Sequence, residues 1–161
     1  MNPRNKWLIG MVGPALLAGA MLWEGRVNTS YEDLAGVTTV CYGYTGKDIV
    51  KGEQYTNDEC ALLLRKEILI HAKGVLECVS APLTEYQYNA FVLMAYNVGV
   101  SGFCNSRALR LFNTGKTEEA CRAIAYSPTG APVWSFVNNK FVQGLHNRRI
   151  YEMNMCLGKY K

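Results

Sequence analysis

The sequence predicts an α+β protein that is mostly helical, with a small β-lobe at about 25–55 and a helical lobe at about 56–161, joined by a long helix. Three observations carry that expectation. Val37 to Tyr42 is β-branched and aromatic, and turn residues flank it on both sides. Thr56 and Glu59 have the spacing of a capping box, and they open about twenty residues with a broad apolar face. Beyond Pro82, apolar residues recur at helical spacing, interrupted by glycines and short polar runs.

The elements follow in chain order. Residues Trp7 to Trp23 carry no charge, and their length sits at the lower edge of the roughly 17–25 residues that cross a bilayer. Arg4 and Lys6 precede this segment, and Trp7 and Trp23 stand at its ends. Those are the places that the positive-inside tendency and an interfacial aromatic belt assign to them. Gly10, Gly13, Gly19 and Pro14 weaken it as a permanent anchor. Three readings stay open for residues 1–23: a reversible signal-anchor, a signal peptide cut after Ala18-Gly19-Ala20, and a buried N-terminal helix. A short linker then leads to a turn at Asp33-Leu34-Ala35-Gly36, the strand at Val37–Tyr42, and a second turn at Tyr44–Asp48. The long helix carries Leu62, Leu63, Ile68, Leu69, Val75 and Leu76 on its apolar face. A further helix starts near Pro82-Leu83-Thr84 and breaks at Asn97-Val98-Gly99. Arg107–Phe112, Thr117–Ala125 and Phe141–Leu157 complete the helical lobe, separated by Gly115 and by Ser127–Gly130. There is no internal repeat, so residues 24–161 read as a single domain.

The bulk composition narrows the function. At 161 residues and 49% hydrophobic, the chain can bury one real core. A net charge of +4 suits an anionic polymer or surface. No dense Lys/Arg run or nucleic-acid motif is present, so nucleic acid is not an expected partner. Six dispersed cysteines, Cys41, Cys60, Cys78, Cys104, Cys121 and Cys156, suggest disulfides in an oxidising space, with reduced core cysteines as the alternative. None forms a C-x-x-C pair, and His71 and His146 are the only histidines. A metal site is therefore not expected, and neither is a cofactor.

Three polar residues stand at a spacing that suits hydrolysis by paired carboxylates. Glu24 is followed nine residues later by Asp33, and six further on by Thr39. One carboxyl donates a proton to a leaving oxygen while the other stays ionised on the opposite face, and a hydroxyl can hold the attacking water. Each also has an ordinary reading: a solvated glutamate at a helix end, a turn-forming aspartate, a strand threonine. Glu32, beside Asp33, is the chief decoy and is expected to be exposed.

The context of these residues resembles the phage lysozymes, the endolysins of tailed bacteriophages. The resemblance covers about Trp23 to Leu157 with its motifs in order. It rests on Glu24, Asp33 and Thr39; on Thr39-Val40-Cys41-Tyr42-Gly43-Tyr44-Thr45-Gly46; and on Tyr96-Asn97-Val98-Gly99. Phe103-Cys104-Asn105-Ser106, Asn113-Thr114-Gly115 and Gly144-Leu145-His146-Asn147-Arg148-Arg149-Ile150-Tyr151-Glu152 continue it. It implies a lysozyme-like fold and a monomer that cuts the β-1,4 bond between N-acetylmuramic acid and N-acetylglucosamine in peptidoglycan, for host lysis and phage release. Glu24 would then be the general acid, Asp33 the ionised partner and Thr39 the holder of water, with inversion at the anomeric carbon. Asn97 would contact sugar and Arg148 would lie near the acid, although a surface arginine is the plain alternative. Tyr42, Tyr44 and Trp134 are candidates to stack on sugars, with core packing the preferred reading of each. The family commonly has His where this chain has Tyr44, so any role of that imidazole does not transfer.

The N-terminus is similar to the signal-anchor-release type within that family. The resemblance implies export as an inactive single-pass protein of the host inner membrane, with the N-terminus cytoplasmic and the catalytic domain periplasmic. Release into the periplasm would then activate it. No cysteine precedes Trp23, so control would be geometric and not by thiol exchange. In that periplasmic setting the six cysteines are expected as Cys41–Cys60, Cys78–Cys104 and Cys121–Cys156, which join nearby elements and are one of about fifteen possible connectivities. Two rival readings are kept: a lytic transglycosylase, which needs Glu24 but no base, and a membrane-anchored wall-binding protein without catalysis.

Overall fold

In the computed structural model, which describes residues 1–33 and 36–160, the chain is mostly helical with two small antiparallel hairpins. It divides into two compact units, Val12–Ile70 and Met1–Met11 with His71–Lys161.

The unit Val12–Ile70 begins with α1 (Pro14–Trp23), started by Gly13 and a proline in the first helical turn. Strands β1 (Val27–Glu32) and β2 (Thr38–Cys41) pair antiparallel, with Tyr31 opposite Thr39, Glu32 opposite Thr38 and an irregularity between Val27 and Tyr31. Where the sequence suggested a linker after Arg26, the chain forms β1. Its polar run Val-Asn-Thr-Ser-Tyr-Glu has no apolar alternation, and partners on both edges supply the pairing. On the edge away from β2, Ser30 N–H donates to the Glu53 carbonyl (3.0 Å) and Tyr55 N–H to the Asn28 carbonyl (2.7 Å). Val40 and Tyr44 exchange both backbone hydrogen bonds (3.0 and 2.9 Å) around a three-residue loop. That loop places Gly43 at φ 83°, a region open to glycine at little cost. The long helix α2 (Asn57–Cys78) starts with the expected capping box: Thr56 N–H donates to Glu59 Oε2 (2.7 Å) and Glu59 N–H to Thr56 Oγ1 (3.2 Å). Leu16, Ala20, Val40, Tyr42, Leu64 and Ile68 are among the buried residues of this unit. A Cys41–Cys60 disulfide ties β2 to α2.

The second unit is built around α3 (Glu85–Val98), in which Tyr88 to Ala95 are all buried. A helix that is buried around its whole circumference lies at the centre of a bundle. Phe91 meets Phe103 at 5.1 Å and Phe112 edge-on at 5.0 Å, geometries that favour aromatic pairs. Short helices α4 (Val100–Cys104), α5 (Arg107–Asn113) and α6 (Thr117–Arg122) follow. Next come the hairpin β3 (Phe136–Val137) and β4 (Lys140–Phe141), and then α7 (Gln143–Cys156). The sequence had extended the sixth helix to Ala125 and begun the last at Phe141. The chain instead leaves α6 at Ala123, and Phe141 pairs with Phe136 in the hairpin. Disulfides Cys78–Cys104 and Cys121–Cys156 close this unit.

The apolar N-terminal segment is not one helix. Pro3–Leu8 forms a 3-10 helix, Gly10 takes a φ of 74°, and α1 begins at Pro14. Pro14 has no N–H to continue a helix from above, so the glycines and the proline cut the run in two. Among the described residues no helix is long and apolar enough to cross a membrane. The first piece packs into the second unit. Asn5, fully buried, donates to the Ala81 carbonyl (2.9 Å) and accepts from Leu83 N–H (2.8 Å). The Tyr88 hydroxyl donates to the Met11 carbonyl (2.7 Å).

Candidate active site

The proposed triad lies wholly in the unit Val12–Ile70. Glu24 is the residue that ends α1: its N–H donates to the Ala20 carbonyl (3.1 Å), its backbone is already extended, and its side chain is partly buried. The helix thus delivers the carboxyl at its last turn. Asp33 follows β1 and is fixed by the peptide groups of Val37. Its N–H donates to the Val37 carbonyl (3.0 Å), and its Oδ1 accepts from Val37 N–H (2.9 Å). The Asp33 carbonyl also accepts from Gly36 N–H (2.9 Å), so this aspartate forms a turn as well as presenting a carboxylate. Leu34 and Ala35 of the expected turn lie outside the described residues.

Thr39 sits in β2 and is only 6% exposed. Its Oγ1 donates to the same Val37 carbonyl (3.1 Å). With its proton directed there, the hydroxyl oxygen presents lone pairs, which suits it to accept a hydrogen bond from a water. One residue's backbone, that of Val37, therefore bonds both Asp33 and Thr39. No sequence pattern marks Val37, because the contacts come from its backbone. Glu32, the decoy, is exposed and paired with Lys51 at 2.7 Å.

Tyr44 is buried and acts as a bridge. Its hydroxyl donates to Asp48 Oδ1 (2.7 Å) and accepts from Lys66 Nζ (3.1 Å). That hydrogen bond, more than the nearby Lys66 charge, holds the Asp48 carboxyl below the usual carboxylate range. The separate hydrogen bond that Lys66 donates to the Tyr44 hydroxyl raises Lys66 above an ordinary lysine. A phenol here is thus part of a hydrogen-bonded chain in place of an imidazole. Tyr42 is buried too, in keeping with core packing. Trp134 departs from the reading that it packs in the core: it is 40% exposed.

Asn97 and Arg148 lie in the other unit. Asn97 is exposed on the last turn of α3, ahead of Gly99 at φ 83°. Arg148 is not a surface arginine. It is buried on α7 with Arg149 and Glu152, and Glu152 Oε1 accepts from Arg148 Nε (3.2 Å) and Arg149 Nη2 (2.7 Å). Burial pushes the Glu152 carboxyl up to about 7, against the pull of the Arg149 and Arg148 charges. Glu152 was visible in the sequence as the end of the Arg-Arg…Glu stretch, but its charge gave no sign of complete burial. Among the described residues no group of His, Cys, Asp and Glu could hold a metal ion.

The sequence pattern of the phage lysozyme family matches residues 21–152, which includes the triad and Arg148. A SAR-endolysin of Bacteriophage PS119 is 36% identical over 168 residues, covering 98% of this chain and 96% of its own. A SAR-endolysin of Enterobacteria phage P21 is 35% identical over 134 residues, covering 83% of this chain and 77% of its own. Among solved structures, the muramidase domain of SpmX from Asticaccaulis excentricus is similar, with a TM-score of 0.79 and 26% identity over 91% of this chain and 97% of that one. The active form of the P1 phage endolysin Lyz shares the fold, with a TM-score of 0.73 and 21% identity over 92% of this chain and 85% of that one.

Proposed function

This chain belongs to the phage lysozyme family, among the SAR-endolysins, and on that premise we propose that it hydrolyses the β-1,4 glycosidic bond between N-acetylmuramic acid and N-acetylglucosamine in peptidoglycan. Membership makes it a glycoside hydrolase; the bond, the stereochemistry and the membrane route belong to the proposal. Glu24 protonates the glycosidic oxygen as the bond breaks. Asp33, ionised, faces the developing oxocarbenium charge and draws a proton from water. Thr39 accepts a hydrogen bond from that water, which attacks from the face opposite the leaving group and inverts the anomeric carbon. Asn97 contacts the sugar, and Arg148 is a supporting residue whose guanidinium Glu152 holds. The observation that carries this reading is the Val37 backbone, whose N–H and carbonyl bond Asp33 and Thr39 at the turn end of the β1–β2 hairpin.

The uncharged run Trp7–Trp23 tethers the protein to the inner membrane, with the domain in the periplasm, and the folded monomer forms on release. In the folded chain that run is split between two units, with the Met11 carbonyl bonded by Tyr88 in one and α1 presenting Glu24 in the other. A single spanning helix has neither that bond nor the break before Pro14, so the tethered form lacks the short helix that delivers the acid. Equal rates of wall cleavage by membrane-embedded and soluble protein would sink this part.

The chemistry is tested by mass spectrometry of muropeptides after the soluble protein is incubated with purified peptidoglycan. Ordinary reducing ends, lost in Glu24→Gln, are the expected result. Anhydro ends would make Glu24 the acid of a transglycosylase and leave Asp33 and Thr39 as structure. Release of no muropeptides would leave a wall-binding protein without catalysis.

A further inference from the structure

Trp134 stands in a backbone conformation that bulky residues rarely take. Its φ is 55°, in the left-handed region. The chain is fixed on both sides of it. Val133 N–H donates to the Ala125 carbonyl (2.9 Å), and Val142 N–H donates to the Ser135 carbonyl (2.8 Å). The fully buried Ser135 directs its hydroxyl to the Val133 carbonyl (2.9 Å) and lies 3.3 Å from His146 Nδ1. Strain of this kind persists only where the surroundings over-determine it.

What the strained residue gains is placement. A buried serine follows Trp134 while the indole stays 40% exposed. The ring rests over Gly102: a methyl group on that glycine would come within 3.7 Å of the indole Cη2 and 3.4 Å of a Val98 methyl. The indole is therefore held at the C-terminal end of α3, where Asn97 precedes Val98. The nearby exposed rings are engaged otherwise, since Phe136 meets Phe141 edge-on at 5.7 Å and Phe141 meets His146 at 5.6 Å.

We propose that Trp134 is a glycan-stacking residue that, together with Asn97, holds a sugar of the substrate strand on the helical unit. The proposal rests on the glycosidase reading above. A pyranose has an apolar C–H face and polar edges. An indole face matches the first through contacts of C–H groups with its π electrons. The Asn97 amide, with two donors and an acceptor, matches the N-acetyl and hydroxyl groups of the second. A ring fixed by its backbone loses little freedom when it binds, so the contact serves affinity more than the chemical step.

The test uses the full-length soluble protein. With Glu24→Gln, hydroxyl-radical footprinting is read by peptide mass mapping, with and without soluble uncross-linked glycan strands. Oxidation of Trp134 should fall at least about threefold with glycan, the size of a modest stacking contact, while Trp7, 55% exposed, should not change. With Glu24 intact, Trp134→Ala should raise KM for the strands about tenfold with kcat within about twofold, and Trp134→Phe should recover most of the loss. An unprotected Trp134 overturns the proposal, and so does an unmoved KM. A fall in kcat and Tm at constant KM would assign the residue to folding and also overturn it. Should Trp134→Ala not fold, the footprint and Trp134→Phe decide. A wild-type protein that hydrolyses glycan while Trp134 stays unprotected overturns this inference alone; a wild-type protein that hydrolyses none removes the function beneath it.

Discussion

The Thr39 hydroxyl has two tasks that substitution can separate. Its proton goes to the Val37 carbonyl, and its lone pairs are offered to water. Thr39→Val keeps the volume and removes both. Losing one buried hydrogen bond costs about 1 kcal/mol, because the Val37 carbonyl still accepts from Asp33 N–H. Losing the partner of the attacking water should cost about a hundredfold in kcat, the scale of a positioned proton-transfer contact. Thr39→Ser restores the hydroxyl and should recover most of the rate. Turnover on purified peptidoglycan and the urea midpoint, measured together, check this. A Thr39→Val protein that turns over at the wild-type rate while losing stability would make Thr39 a strand residue and nothing more. Glu32→Gln is the control. Its pair with Lys51 is exposed on both sides, such pairs contribute about 0–1 kcal/mol, and its activity should match wild type.

At the scale of elements, α7 carries a charge cluster whose balance depends on pH. Glu152 is completely buried, and its Oε2, together with Arg149 Nε and Nη1, has no hydrogen-bond partner among the described residues. Desolvation therefore outweighs the attraction of the guanidiniums and lifts the carboxyl from an ordinary 4.5 to about 7. A raised acid binds its proton more tightly in the folded state than in the unfolded chain. Its contribution to stability is then fully present below about pH 4.5 and is lost as the pH rises towards 7. Glu152→Gln cannot titrate. The Tm of wild type minus that of Glu152→Gln should thus increase as the pH falls from 7.5 to 5, as scanning calorimetry can measure. A flat difference would mean that the arginines hold Glu152 ionised throughout. The elements themselves were readable in the sequence to differing degrees. The capping box at Thr56, the start at Pro82-Leu83-Thr84 and the apolar repeat of α2 are local signals, and the helices start where those signals stand. Strand β1 and the β3–β4 hairpin were not readable, because polar β1 is set by its neighbours at Cys41 and Tyr55 and the hairpin is only two residues on each side. The uncharged Trp7–Trp23 run was read as one segment because hydropathy counts charge, whereas the fold responds to the backbone of Gly10 and Pro14.

For the whole molecule, Glu24, Asp33 and Thr39 could be named as candidates from the sequence because chemistry restricts their residue types. Val37 could not, since it acts through its backbone, and Trp134 reads from the sequence only as a stacking candidate that core packing outranks, because its exposure follows from a backbone angle that no periodicity encodes. The cysteines show how far a local argument reaches. Pairing neighbours along the chain gives Cys41–Cys60, Cys78–Cys104 and Cys121–Cys156, with Cα separations of 5.0, 5.8 and 5.5 Å. These lie inside the window of about 4.4–6.8 Å that a disulfide needs. Each bridge lies within one unit, one in Val12–Ile70 and two in the other. The loops they close span 19, 26 and 35 residues. In the chain-entropy view such loops each remove about 3–4 kcal/mol of unfolded-state freedom, so three together contribute on the order of 10 kcal/mol. That matches the entire stability of a typical domain, about 5–15 kcal/mol. The folded enzyme should therefore depend on an oxidising compartment. Reduction under native conditions should lower the urea midpoint until unfolding occurs with little or no denaturant, and wall-degrading activity should fall with it. Because the bridges are divided between the units, Cys41→Ala with Cys60→Ala should loosen the residues around Asp33 and Thr39 while the helices around α3 keep their amide-exchange protection. Uniform loss of protection in both units would mean that they unfold as one cooperative body, and would assign the stabilisation to the whole chain instead of to each unit.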